Sequence, residues 1–202
     1  MIVVVDYGMG NLQSVKNGFA AAGFDVKVSS DPADLARASG LVLPGVGAFG
    51  RAMETLRESG LGPALLERVA DGVPLLGICL GLQLLFERSE EMGDHAGFGL
   101  LPGDVVLFRD MRKVPQVGWN SVSVRRPHPL LAEVRSGEYF YFVHSYHAAC
   151  RNGEAVLAVS EYGVEFPAVV GRDNIFGLQF HPEKSGRPGI KVLANFGRLV
   201  SC

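Results

Sequence analysis

Short apolar runs alternate with stretches of helical spacing through the first part of the chain, and this alternation limits the possible folds more than any other feature. Ile2 to Asp6, Phe24 to Val28, Gly40 to Leu43 and Val73 to Ile78 read as strands. Strands and helices alternating in this way imply a sheet of parallel strands buried on both faces between layers of helix. The connecting stretches fit that role. Gly8 to Asn11 turn the chain into a helix carrying Val15, Phe19 and Ala22, and Asp31 with Pro32 can start another at N-cap and N1. Pro44 to Gly47 break the pattern, helical stretches follow through Met53, Leu56, Leu65 and Val69, and Asp71-Gly72 close them.

The second half changes style. Val105 to Phe108, Asn120 to Val124, Tyr139 to His144, Val156 to Val159, Pro167 to Val170 and Phe176 to Phe180 read as strands spaced by glycine, proline and charged turns, so hairpins are expected there. Gly189 to Leu199 reads as a closing helix with Ile190, Leu193 and Phe196 on its apolar face. The expected fold is α/β: an open, largely parallel central sheet with helices on both faces, plus an antiparallel hairpin portion in the second half. With 202 residues, 48% hydrophobic and 20% charged, and with no repeat or linker, a single domain over 1–202 is the simplest reading.

A net charge of -2 offers no basic excess for nucleic acid or an anionic membrane. Met1 to Tyr7 lacks the form of a signal peptide, and no apolar segment approaches a membrane span, so a soluble, cytoplasmic protein is expected. Cys79, Cys150 and Cys202 are odd in number and far apart, which suits reduced thiols.

Gly77-Ile78-Cys79-Leu80-Gly81 has the form G-x-C-x-G where an apolar run meets a helical pattern, the setting of a nucleophile elbow. A sharp turn there needs small neighbours, and the N–H groups that open the helix favour a thiolate and an oxyanion beside it. The alternative is a buried cysteine that only packs. Cys150 and Cys202 lack the glycines and the position, and are read that way.

A thiolate needs a base, and five histidines compete. His95 and His128 sit in polar, loop-like surroundings and are expected to be solvated. His144, His147 and Cys150 mimic a metal-ligand spacing, but residues three apart on a strand point to opposite faces, so no metal is expected. His181 ends an apolar strand, where the crevice of an open α/β sheet lies. Glu183, two residues on, can accept its Nδ1–H and stabilise the imidazolium. Taken without the cysteine motif, a surface histidine beside a solvated carboxylate is the better reading of that pair.

G-I-C-L-G-L-Q at Cys79 and H-P-E-K-S at His181 together resemble the triad-type glutamine amidotransferases, over essentially the whole chain. The resemblance implies Cys79 as nucleophile, His181 as acid and base, and Glu183 as its orienter. It also implies an oxyanion loop in P-G-V-G-A-F, through Gly45, Val46 and Gly47, with the Leu80 N–H as second donor. The two glycines independently permit a peptide to turn its N–H toward the site. Gln83, one helical turn beyond Cys79, can reach a substrate held over the sulfur, and the resemblance implies that main chain near Ser145 and Tyr146 reads substrate polar groups. No cofactor is called for.

V-V-D-Y-G-M-G-N-L-Q-S, P-Q-V-G-W-N and Y-F-V-H-S-Y are similar to the branch of that family serving histidine biosynthesis. This implies glutamine as substrate and a separate (β/α)8-barrel cyclase as heterodimer partner, which would use the ammonia to make imidazole glycerol phosphate and aminoimidazole carboxamide ribotide. Ammonia in bulk water would be protonated and lost as a nucleophile, so a sealed passage is implied. Trp119, Asn120, Tyr141 and Lys184 are candidates for that interface. Ordinary packing of Trp119 and Tyr141, and a solvated Lys184, are the alternatives. Four other readings stay open: the glutaminase of another ammonia-channelling synthase, a different thiol hydrolase, a non-catalytic scaffold, and a dinucleotide-binding oxidoreductase. The last rests on G-M-G-N-L-Q after the first strand and on Asp31, but Gln13 stands where the third glycine belongs.

Overall fold

The computed structural model describes residues 1–109, 113–151 and 153–201, so Cys202 lies outside the described residues. The first part is a regular β/α alternation: β1 (Ile2–Val5), α1 (Leu12–Ala21), β2 (Val26–Ser29), α2 (Pro32–Ala36), β3 (Gly40–Leu43), α3 (Phe49–Glu58), α4 (Leu61–Ala70), β4 (Leu75–Ile78) and α5 (Leu80–Leu84). Strands then dominate: β5 (Phe86–Ser89), β6 (His95–Ala96), β7 (Leu101–Leu107), β8 (Gln116–Val124), β9 (Glu138–His144), β10 (Tyr146–Cys150), β11 (Val156–Tyr162), β12 (Val164–Arg172) and β13 (Ile175–Leu178), before α6 (Gly186–Ser201) closes the chain.

A nine-stranded sheet runs β2-β1-β3-β4-β13-β12-β11-β8-β9. Pairing is parallel from β2 through β4 to β13 and antiparallel from β13 to β9. Alternate residues of β1 face opposite layers: Ile2 and Val4 pack with Phe19 of α1 and Phe196 of α6, while Val3 and Val5 pack with Leu35, Phe49 and Leu65 of α2, α3 and α4. All four β1 residues are buried, as their uniformly apolar character requires. The helix starts are made as the sequence indicates, with the Asn11 side chain accepting the Ser14 N–H at 3.2 Å and Asp31 that of Ala33 at 2.9 Å. These bonds commit both residues to capping.

The expected open sheet with helices on both faces is present, and its antiparallel share is larger than anticipated. A second, four-stranded sheet, β10-β7-β5-β6, was not anticipated at all. The helix expected after Cys79 is present but short, α5 stopping at Leu84. The carbonyls of Leu84, Leu85 and Phe86 accept from Phe98, Leu101 and Gly99, so long-range pairing replaces the next helical turn. The strand of F-E-R-S and that of Y-H-A-A-C carry no alternating pattern to announce them. The chain passes from the large sheet to the small one at Ser145, between β9 and β10, and Ser145 shares a cavity with Cys79, the residue that follows β4.

Candidate active site

Cys79 stands between β4, in the middle of the large sheet, and α5. Its backbone is at φ 55, ψ -109, a conformation that L-residues adopt only when the surroundings force it. The flanking glycines explain how the bend closes. A Cβ on Gly77 would lie 2.5 Å from the Gly81 carbonyl oxygen, and one on Gly81 would run into the Leu43 carbonyl of β3. Helix and strand therefore approach more closely than any side chain allows. Because α5 has only five residues, the positive end beside the sulfur comes from a few local N–H groups rather than a long helix dipole.

The structure brings His181 and Glu183 to that sulfur across the junction of β4 and β13. His181 follows β13 and is 4% exposed; its Nδ1 lies 2.9 Å from Glu183 Oε1, and the Glu183 side chain is 1% exposed. Gly18 of α1 leaves room for Glu183, since a Cβ there would sit 3.1 Å from the Glu183 Cβ. The rim is tied down by main chain: His181 N–H donates to Tyr141 O at 2.9 Å, and Ser185 Oγ donates to His181 O at 2.6 Å. Burial pulls the imidazole downward, but the Cys79 sulfur and the Glu183 carboxylate outweigh it and raise His181 to about 10. Cys79 raises it both as a hydrogen-bonding neighbour and through charge, and His181 Nε2 is buried with no other hydrogen-bond partner among the described residues. The sulfur also lies 3.8 Å from Val143 O and 4.0 Å from Gln179 Nε2.

A cavity of about 190 Å³ opens on Cys79, and its walls include Val46, Gly47, Leu80, Gln83, Ser145 and Tyr146. Gly47 is at φ 98, which a side chain would disfavour, and Val46 is 45% exposed at the mouth. Gly45 sits below them, where a Cβ would overlap Tyr7 Oη and lie 3.1 Å from the Leu80 Cβ; Tyr7 Oη itself donates to Pro44 O at 2.9 Å. A larger cavity of about 480 Å³ at Arg125, His147 and Phe166 touches none of the candidate site residues.

Sequence reasoning missed three contributors. Glu91 lines the Cys79 cavity while its Oε2 accepts the Phe49 N–H at 2.7 Å, and nothing in the acidic turn S-E-E-M-G-D singled it out. Gln179 is fully buried, and a lone amide inside the apolar run I-F-G-L-Q-F was the available signal. His144 lines the same cavity with Nδ1 2.8 Å from Tyr146 O, and burial lowers it to about 4, so it is neutral. His147 Nδ1 is 3.1 Å from Ala148 O. His95 and His128 are not simply solvated as expected. His95 packs over Gly50 of α3, and His128 accepts the Leu130 N–H while its ring stands 5.4 Å from that of Phe176.

Of the four interface candidates, Trp119 and Tyr141 are cross-strand partners with rings 6.0 Å apart, and Lys184 Nζ stands 5.8 Å from the Tyr141 ring centre. The Asn120 amide donates to Glu161 O at 2.6 Å. Among the described residues no helix is long and apolar enough to cross a membrane.

A family model described as glutamine amidotransferase class-I matches residues 3–199. The chain is 50% identical over 201 residues to the imidazole glycerol phosphate synthase subunit HisH of Desulfitobacterium hafniense strain Y51, covering 100% of this chain and 95% of that one. It is 52% identical over 199 residues to the subunit of the same name from Moorella thermoacetica, covering 98% and 95%. A crystal structure of a glutamine amidotransferase superposes with a TM-score of 0.76 at 22% identity, covering 100% of both chains, which speaks to the fold alone.

Proposed function

The chain belongs to the class I glutamine amidotransferases, and from that premise we propose that it is the glutaminase subunit of an imidazole glycerol phosphate synthase, acting in histidine biosynthesis. The observation that carries the reading is the convergence of a strained, glycine-flanked thiol with a buried His–Glu pair at the end of adjacent parallel strands.

The chemistry follows from those groups. The Cys79 thiolate attacks the side-chain carboxamide carbon of glutamine, and the carbonyl oxygen becomes an oxyanion held by the N–H of Leu80 and of the Gly45–Val46–Gly47 loop. Collapse of the adduct breaks the C–N bond as protonated His181 gives its proton to the departing nitrogen, releasing ammonia and leaving a thioester. Neutral His181 then takes a proton from water, the resulting hydroxide attacks the thioester, and glutamate leaves as the thiolate is restored. Glu183 keeps the imidazole in one tautomer and orientation throughout. Gln83 and the main chain at Ser145 and Tyr146 hold the substrate, and Glu91 supplies the negative charge that the α-ammonium group of an amino acid needs.

The relatives are named as subunits, which supports a partner subunit in this case too. We place it, a (β/α)8-barrel cyclase, over Trp119, Tyr141 and Lys184. Tyr141 joins that face to the site, because its carbonyl receives the His181 N–H and its own N–H donates to Ser185 Oγ at 3.0 Å. Ammonia released at His181 thus emerges behind the docking face. A glutamine-like diazo-ketone followed by mass mapping tests the assignment. Labelling of Cys79 alone is expected, and Cys79→Ser should lose glutamine-dependent synthesis by about 10³-fold or more while added ammonia still supports the complex. Labelling elsewhere would overturn it.

A further inference from the structure

Gln179 is the fully buried amide next to the sulfur, and neither its side chain nor that of Gln83 is free to choose its direction. The Tyr146 carbonyl can only accept. Gln83 Nε2 stands 2.8 Å from it, so the Gln83 amide must point its NH₂ group that way. The same NH₂ group is 3.2 Å from Gln179 Oε1, which must therefore be the acceptor end of Gln179. Its donor end is left facing Cys79 Sγ at 4.0 Å. His144 Nδ1, also 2.8 Å from Tyr146 O, donates to the same carbonyl and reinforces the polarity. One main-chain oxygen thus orders a chain of donors that ends on the nucleophile.

We propose that Gln179 is a positioning residue for the thiol: its side-chain amide keeps an N–H against Cys79 Sγ, and through Gln83 it ties the sulfur to the main chain at Ser145 and Tyr146. A negative sulfur accepts such a bond far better than a thiol does, so the contact favours the reactive form. It also couples substrate to nucleophile, because a ligand that settles the Ser145–Tyr146 segment settles Tyr146 O, Gln83 and Gln179 in turn. The inference rests on Cys79 being the nucleophile.

The test is the rate of Cys79 alkylation by iodoacetamide in the full chain, read by mass mapping across pH, with glutaminase kinetics of the complex alongside. The other titratable groups around the sulfur are Tyr7, His181 with Glu183 behind it, and the cavity-lining Glu91 and His144. All of them stay constant between variants. Gln179→Met, of similar length and without a donor, is expected to slow alkylation at neutral pH by about tenfold or more and to move the profile to higher pH. It should lower kcat by a similar factor with KM within about twofold. Gln179→Glu, which keeps an acceptor for Gln83 but sets a carboxyl group against the sulfur, should move the profile further. In the unaltered chain, the side-chain amide protons of Gln179 should shift in the NMR spectrum as the thiol titrates. Folded variants that alkylate Cys79 with the original rate and profile, or an amide that does not respond, would overturn the proposal. Failure of the unaltered chain to label at Cys79 would instead overturn the nucleophile assignment.

Discussion

At Cys79 the backbone holds a positive φ that costs on the order of 1–3 kcal/mol, and the surrounding sheet supplies the constraint that maintains it. His181 has the opposite relation to its surroundings, since a protonated ring between a sulfur and a carboxylate is favoured by the fold. A group whose folded pKa lies above its unfolded value stabilises the native state through its protonated form. That contribution is fully present below about pH 6.5 and is lost as pH rises through about 10. The melting temperature should fall across this window, and Glu183→Gln should bring the fall to lower pH, measured by calorimetry over a pH series. The same variant should lower glutaminase turnover by at least about 100-fold, because an amide can present its NH₂ group to Nδ1 and disturb the tautomer. Cys79, His181 and Glu183 were legible as candidates from short motifs, whereas Glu91 and Gln179 were not, because their importance comes from neighbours far away in the chain.

Among elements, the strand-to-helix bend at the end of β4 carries the tightest packing requirement. Gly81→Ala would drive a Cβ into the Leu43 carbonyl, a backbone atom that cannot step aside. The cost should reach or exceed about 3 kcal/mol in chemical denaturation. Gly23→Ala is the control: its φ of 85 is unfavourable for alanine, but nothing lies within 4 Å, so about 1–2 kcal/mol is expected. Gly81 has no positive φ, so a cost there no greater than at Gly23 would show that the structure relieves the contact with Leu43. The β/α repeat up to Cys79 was readable because β1, β3 and β4 are buried on both faces and α1 and α2 start at capping side chains. β5, β6 and β10 were hidden because their pairing, not their composition, makes them strands.

The whole molecule joins a catalytic crevice to an exposed aromatic face through β9. Trp119 is 56% exposed and makes its ring contact with Tyr141 on the surface. Trp119→Ala should weaken binding of the proposed cyclase partner by about 30-fold, the equivalent of about 2 kcal/mol, while shifting the stability of the free chain by less than about 0.5 kcal/mol. Titration calorimetry and thermal melts separate the two effects, and an unchanged affinity would remove this face from the interface. What the amino-acid order determined by itself was local: which runs are strands with two covered faces, where a thiol meets a sharp bend, and that a histidine precedes a carboxylate by two positions. These follow from conformational preference and periodicity within a few residues. Only the tertiary structure decided which groups meet at the sulfur, since Cys79, Val143, Gln179 and His181 converge through the placement of β13 beside β4 and the crossing of the chain between sheets at Ser145. Strand order is a property of the whole packed core, and no short segment contains it.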